Sequence, residues 1–241
     1  MDINFLDINI INTEENDTLL SFETTAIDAP RLIYNGGEDK FNNLLTSELH
    51  FNFLVKDNVD GQFFDLFTGS ETKYKVQLID SSVSGYPNIV WEGHLLAEQF
   101  LEPYKNGNFF VEFVATDGIG LLKNKDYPFA GKTSVLNVIS RCLQITGLDL
   151  PILFSEGIKN SGFDLDYIDL LIDQDAYAAK DEDDTAEKIY DVLNYCLESI
   201  GCVLFQYKEA WHIVGLNKLK EHVLIYSKYI LDENKDLVFD Q

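Results

Sequence analysis

The first half of the chain alternates apolar and polar residues. In ELHFNFLVKD, Leu49, Phe51, Phe53 and Val55 fall on one face of an extended chain, and His50, Asn52 and Leu54 on the other. A period of two is the signature of a half-buried strand. KYKVQLID repeats it, setting Tyr74, Val76 and Leu78 against Lys73, Lys75 and Gln77. FLDINII, TLLSFETTAI and RLIY supply further strands near the start, with Pro30 tolerated only at a sheet edge or strand start. NIVWEGHLLAEQF follows, and then EPYKNGNFFVEFVA, where Asn106-Gly107 is a strong hairpin signal because both residues tolerate positive φ. These segments predict seven or eight antiparallel strands, whose spacing suits a sandwich or a barrel.

Beyond residue 130 the period changes. Val135, Val138, Ile139, Cys142 and Ile145 share one helical face, with Thr133 or Ser134 placed to cap the start and Gly147 the end. This predicts a helix over about 134–146. A second helix is expected over 185–200, with Ile189, Leu193, Cys196, Leu197 and Ile200 as its stripe, Asp184 and Glu187 as a capping pair, and Gly201 as its close. A hairpin over about 202–214 follows, then a strand in HVLIYSKYI; the tail LDENKDLVFDQ carries no obvious closing signal. The expected fold is α+β and mainly β: an antiparallel β-sandwich or barrel domain over 1–130, then a smaller α+β domain with two main helices over 131–241.

Charge narrows the partners. Among 241 residues, 41 acids face 18 bases, for a formal net charge of -23. Such a surface repels nucleic-acid phosphate and anionic lipid, so specific nucleic-acid binding and membrane association are not expected. The N-terminus carries acids where a signal peptide needs bases, and no apolar run reaches a membrane span. Synthesis in the cytoplasm follows as the expectation. Cys142, Cys196 and Cys202 are widely spaced among apolar neighbours and read as buried reduced thiols.

Catalytic motifs are lacking. His50, His94, His212 and His222 form no i, i+4 pair, and there is no nucleophile elbow, phosphate loop or dinucleotide fingerprint. The acids from Asp164 to Asp184 tempt a calcium reading through Asp173-x-Asp175, but the loop template's glycine and terminal glutamate are missing. A solvated loop running into a helix explains them with less. No metal, cofactor or catalytic residue is therefore assigned. Trp91 and Trp211 sit at core-facing strand positions, although exposed indoles could instead serve a sugar platform.

The run VWEGHLLAEQFLEPYKNGNFFVEFVATDGIGLLKNKDY resembles the tail-hub, baseplate-hub-like structural proteins of tailed phages, especially those infecting Bacteroidota. Trp91, Gly93 and Leu95 match the W-x-G-x-L strand; Glu102, Pro103 and Tyr104 match the hairpin; Ala115 to Ile119, Leu122 and Lys123 match the A-T-D-G-L-x-x-L-K strand end, with Ile119 in place of leucine. DTAEKIYDVLNYCLESIGCVLFQYKEAWHIV, which includes Trp211, is similar to the family's helix-and-hairpin element. The resemblance covers roughly residues 45–215. It implies a non-enzymatic virion component made in the host cytoplasm. That component would form a trimeric or hexameric ring, line the DNA channel and join other tail proteins. On that reading Asp117 caps the turn after its strand, Gly118 supplies positive φ, and Leu121 and Leu122 pack back on the sheet. Two alternatives of other classes stay open: a secreted or surface carbohydrate-binding β-module, and a tail-tip cell-wall hydrolase.

Overall fold

The computed structural model describes residues 6–15, 17–23, 29–35, 42–55, 63, 66, 70–82, 88–96, 108–155, 170–179, 185–219 and 224–240. The expected turn through Glu102–Gly107, the acids Asp164–Asp169 and Asp181–Asp184, and His222 lie outside the described residues. The chain divides into two compact units: Met1–Asn35 with Ser47–Asp117, and Gly36–Thr46 with Gly118–Gln241. The fold is α+β and mainly antiparallel β.

The first unit is built on one sheet of seven strands: β1 (Leu6–Asn12), β2 (Asp17–Glu23), β3 (Arg31–Asn35), β4 (Thr46–Val55), β5 (Tyr74–Asp80), β6 (Asn88–Leu95) and β7 (Phe109–Thr116). Their spatial order is β2-β1-β5-β6-β7-β4-β3. Of the sandwich or barrel expected, no closed barrel is seen among the described residues. β2 and β3 stand at opposite edges, and the sheet is open. Alternation along a strand reports one buried face but says nothing about whether the first and last strands meet. Pro30 immediately precedes edge strand β3, where its missing N–H costs no ladder bond.

One face of this sheet is dry. Ile8 and Ile10, Tyr74, Val76 and Leu78, Trp91 and Leu95, Val111, Phe113 and Ala115, and Leu49 and Phe51 are all buried in one cluster. Phe63 closes it, standing edge-on to Phe113 at 5.1 Å and to Phe53 at 5.1 Å. The other face carries polar pairs. Gln77 Nε2 donates to Glu92 Oε2 at 2.6 Å, and the Lys75 ammonium lies 3.2 Å from the same oxygen. His50 lies between Glu48 and Glu112, at 3.5 and 3.6 Å.

The second unit layers two helices on a sheet. Its strands are β8 (Lys132–Ser134), β9 (Ile152–Ser155), β10 (Leu171–Asp173), β11 (Cys202–Tyr207), β12 (Ala210–Gly215), β13 (Tyr226–Leu231) and β14 (Leu237–Asp240). Five of them form a sheet in the order β11-β12-β9-β13-β14, while β8 and β10 make a separate ribbon. The helices are α1 (Val135–Gln144) and α2 (Ile189–Ser199). Their predicted apolar stripes enter one core with Ile152, Phe154, Cys202, Leu204, Trp211 and Ile213 from the sheet. Ser134 caps α1, its side chain accepting from Asn137 N at 3.3 Å, and Gly147 follows at φ 82°. The start expected for α2 at Thr185 moves to Ile189. Its N-cap is Lys188, which makes no side-chain capping bond, so Glu187 does not define the start; Asp184 lies outside the described residues. Glu187 N instead bonds Tyr177 O, and Tyr127 N bonds Glu187 O, which holds that stretch extended. The tail that showed no closing signal forms β14, paired antiparallel with β13.

Residues 42–45 also belong to this unit. Leu44 bridges Leu204 in parallel, backbone bonds run from Leu45 N to Leu204 O and from Leu204 N to Asn43 O, and Asn43 Nδ2 donates to Cys202 O at 2.6 Å. The three cysteines are free and buried. Burial pushes the thiols of Cys196 and Cys202 up to about 12 and that of Cys142 well above its ordinary value, so all three remain neutral thiols.

Candidate functional site

The conspicuous polar feature of the first unit is buried and assembled from three separate stretches. Ser47 opens β4, Trp91 sits on β6, and Asp117 follows β7. All three are 0% exposed. The β4–β7 register pairs Glu48 with Thr116, which brings Ser47 beside Asp117. Asp117 Oδ2 accepts from Ser47 N at 2.6 Å and from Ser47 Oγ at 2.8 Å. In return, Asp117 N donates to Ser47 O at 3.1 Å. The Trp91 indole N–H donates to Ser47 Oγ at 2.8 Å. A buried carboxylate is costly unless hydrogen bonds satisfy it, and charge-assisted bonds of this length are the strong kind.

The W-x-G spacing follows from the same geometry. Residues 91 and 93 lie on one face of β6, and the Trp91 ring folds across Gly93. A Cβ on Gly93 would stand 2.2 Å from Trp91 Cη2 and 2.4 Å from the Thr116 carbonyl oxygen. Only a residue without a side chain leaves room for that ring.

Asp117 reaches across the sheet, a bond that its position before a turn does not announce. The residue at the N-cap of the 3₁₀ helix Ile119–Asn124 is Gly118, at φ 81°. Leu122 and Ile119 are both 0% exposed and enter the core of the second unit with Val192 and Leu193; Leu121 is only half-buried. The expectation that Leu121 and Leu122 fold back together on the preceding sheet is corrected accordingly. Along a 3₁₀ helix, positions i and i+3 share a face, which pairs 119 with 122 rather than 121 with 122. Trp211 is 1% exposed on β12, and its Nε1 has no hydrogen-bond partner among the described residues.

The remaining candidates serve the backbone. Asp173 caps a short 3₁₀ turn at Gln174–Tyr177, accepting from Asp175 N at 3.3 Å, and Asp175 Oδ1 accepts from Gly131 N at 2.8 Å. Among the described residues no group of three or more His, Cys, Asp or Glu is placed to hold a metal ion. Sequence reasoning missed Ser47, whose partner lies 70 residues away. It also missed Gln174, 1% exposed. Gln174 Nε2 donates to Ala130 O at 3.0 Å and Gly131 O at 3.1 Å, while Oε1 accepts from Tyr127 at 2.7 Å and Arg141 at 3.3 Å. A lone Gln between two acids gives no signal that it will be buried and fully bonded.

No protein-family model matches the chain, and no curated protein does. Among solved structures, the 43 kDa tail protein of prophage MuSo2 from Shewanella oneidensis is similar at 9% identity and a TM-score of 0.49, over 86% of this chain and 52% of that one. A tail protein from Neisseria meningitidis MC58 is similar at 9% identity and 0.48, over 86% and 50%. The Francisella PdpA-VgrG complex in its lidded form gives 14% and 0.49, over 93% of this chain and 31% of that one. This chain thus spans about half or less of the length of each.

Proposed function

We propose that this chain is a non-enzymatic structural component of a phage tail, of the hub or baseplate type. It assembles as a closed ring of identical copies, a trimer or hexamer, coaxial with the tail and bound to other tail proteins. The observation that carries the reading is the convergence of the resemblance on one network. Trp91, Gly93 and Asp117 are among the residues that match the hub pattern; Trp91 and Asp117 meet at Ser47 in a buried network, and Gly93 leaves the room that the Trp91 ring fills. Side chains this buried specify an architecture; they do not perform chemistry on a ligand. A closed ring is the symmetric assembly that encloses a channel, and a net charge of -23 makes such a channel repel DNA.

Native mass measurement and particle imaging at micromolar concentration test the assembly. A ring is expected, and a strictly monomeric chain would sink the reading. Because like charges crowd when copies close, raising salt from 0.01 M to 0.15 M shortens the screening length from ~30 Å to ~8 Å. Ring formation should strengthen over that range. Random duplex DNA should show no gel shift at physiological salt.

A further inference from the structure

His212 lies on β12, on the face of the five-stranded sheet opposite Trp211 and Ile213, and is 8% exposed. It sits among aromatic rings: Phe205 stacks on it at 5.2 Å and 7°, Tyr226 meets it edge-on at 5.2 Å, and Tyr207 is tilted at 6.1 Å. Nε2 is 2.9 Å from the carbonyl oxygen of Tyr207. A carbonyl can only accept, so Nε2 carries the proton and Nδ1 is the bare nitrogen. Nδ1 is buried and has no partner among the described residues. The carbonyl it anchors opens the turn that joins β11 to β12, where Lys208 and Glu209 both hold left-handed conformations at φ 46° and 54°. Two adjacent non-glycine residues stay in that region only where the surroundings hold them.

We propose that His212 is a proton-operated latch on the β11–β12 hairpin. A proton taken from solvent onto Nδ1 creates a second N–H in a site walled by ring faces, with no acceptor for it among the described residues. The ring must then turn outward, which breaks its bond to Tyr207 O and frees the turn. Among the described residues, the charged groups on the elements around it are of both signs. β11 presents Phe205 and Tyr207, and the turn presents Lys208, over the Tyr207 ring, with Glu209. β9 presents Leu153, opposite His212, and Lys228 on β13 stands beyond Leu153 with its ammonium engaged by Asp240 of β14 at 2.7 Å. Tyr226, also on β13, is neutral in this range. Burial holds the His212 imidazole below its ordinary value. The unfolded chain therefore takes the proton first, and the hairpin is fully held above about pH 6.5 and loosens as pH falls below it.

Hydrogen exchange on the full chain between pH 7.5 and 5.0, corrected for intrinsic rates, reads the latch. Protection of the Cys202–Tyr207 and Ala210–Gly215 amides should fall about tenfold or more further in the wild type than in His212→Gln, while α1 and the seven-stranded sheet change alike in both. Equal loss in the two proteins overturns the proposal. Imidazole nitrogen shifts of the wild type give a test that needs no variant. An Nε2–H tautomer at pH 7.5, with His212 titrating below the exposed range and together with the hairpin amides, supports the latch. Titration near 6.5 that leaves those amides unmoved overturns it.

Discussion

Trp91 and Trp211 occupy equivalent-looking positions, each on a strand, each sealed at 0% and 1% exposure, one in each unit. Their indole N–H groups meet opposite fates. That of Trp91 is bonded to Ser47, which is bonded to Asp117, so three strands of the open sheet are tied by polar groups at fixed distances. That of Trp211 has no partner among the described residues, and the layer around it, formed by α1, α2 and the five-stranded sheet, is held by shape and apolar contact. The second unit has two helical stripes to bury, and its buried polar tie, Gln174 with Tyr127 and Arg141, lies away from the Trp211 indole N–H. The first has a single sheet, where a slip of one residue would turn every side chain to the wrong face, and a buried hydrogen-bonded network penalises that slip.

The contrast can be broken most violently at Gly93. Gly93→Ala sets a Cβ against a backbone oxygen and the Trp91 ring, neither of which can retreat far. Destabilisation at or above the ~3 kcal/mol upper end for overpacking is expected, read as loss of the first unit's transition in urea. Asp117→Ala comes next. It strands the Ser47 N–H and hydroxyl in a dry site and should cost about 2–3 kcal/mol, above the ~0.5–2 kcal/mol of an ordinary turn cap, by the shift in denaturation midpoint.

The tryptophans themselves sharpen the comparison. Trp91→Phe and Trp211→Phe remove the same atoms, but the first loses a hydrogen bond and the second deletes an unsatisfied donor. Trp91→Phe should therefore be worse by about 1–2 kcal/mol in parallel urea titrations. Equal costs would show that the polar tie contributes nothing. Gly120→Ala should do least. A Cβ there meets nothing within 4 Å and no left-handed φ is involved, so a change within about 0.5 kcal/mol is expected in melting temperature comparisons.

Much of this was legible where it depends on short-range periodicity. The dry face of β4 and β5 and the stripes of α1 and α2 follow from spacings of two and of three to four residues; the structure buries most of those residues and half-buries Phe53 and Ile145, while the Val55 side chain lies outside the described residues. What escaped depends on partners distant in sequence. Nothing about Ser47 announces Asp117, and nothing in LVFD reveals that it completes a sheet edge beside β13. The parallel strand β9 is four residues long, too short for its alternation to stand out. Helix α2 begins late because Glu187 and Lys188 are held by residues 177 and 125–127, a tertiary choice that overrides a capping pattern. The open sheet and the barrel share one sequence pattern, so closure had to be seen.

The partnership of Asn43 with Cys202 has a consequence for the order of events during synthesis. The two residues are 159 positions apart. At the ~5–20 residues per second of a ribosome, the short stretch around Leu44 waits roughly 8–30 s after it is made before its strand partner exists. Its flanks, meanwhile, are claimed by strands that complete far sooner, once β7 is out. The stretch 42–45 therefore waits with its backbone groups unpaired until the segment around Leu204 is made. A copy stalled anywhere between residues 117 and 202 would display Leu44 to the solvent, the form a chaperone would recognise.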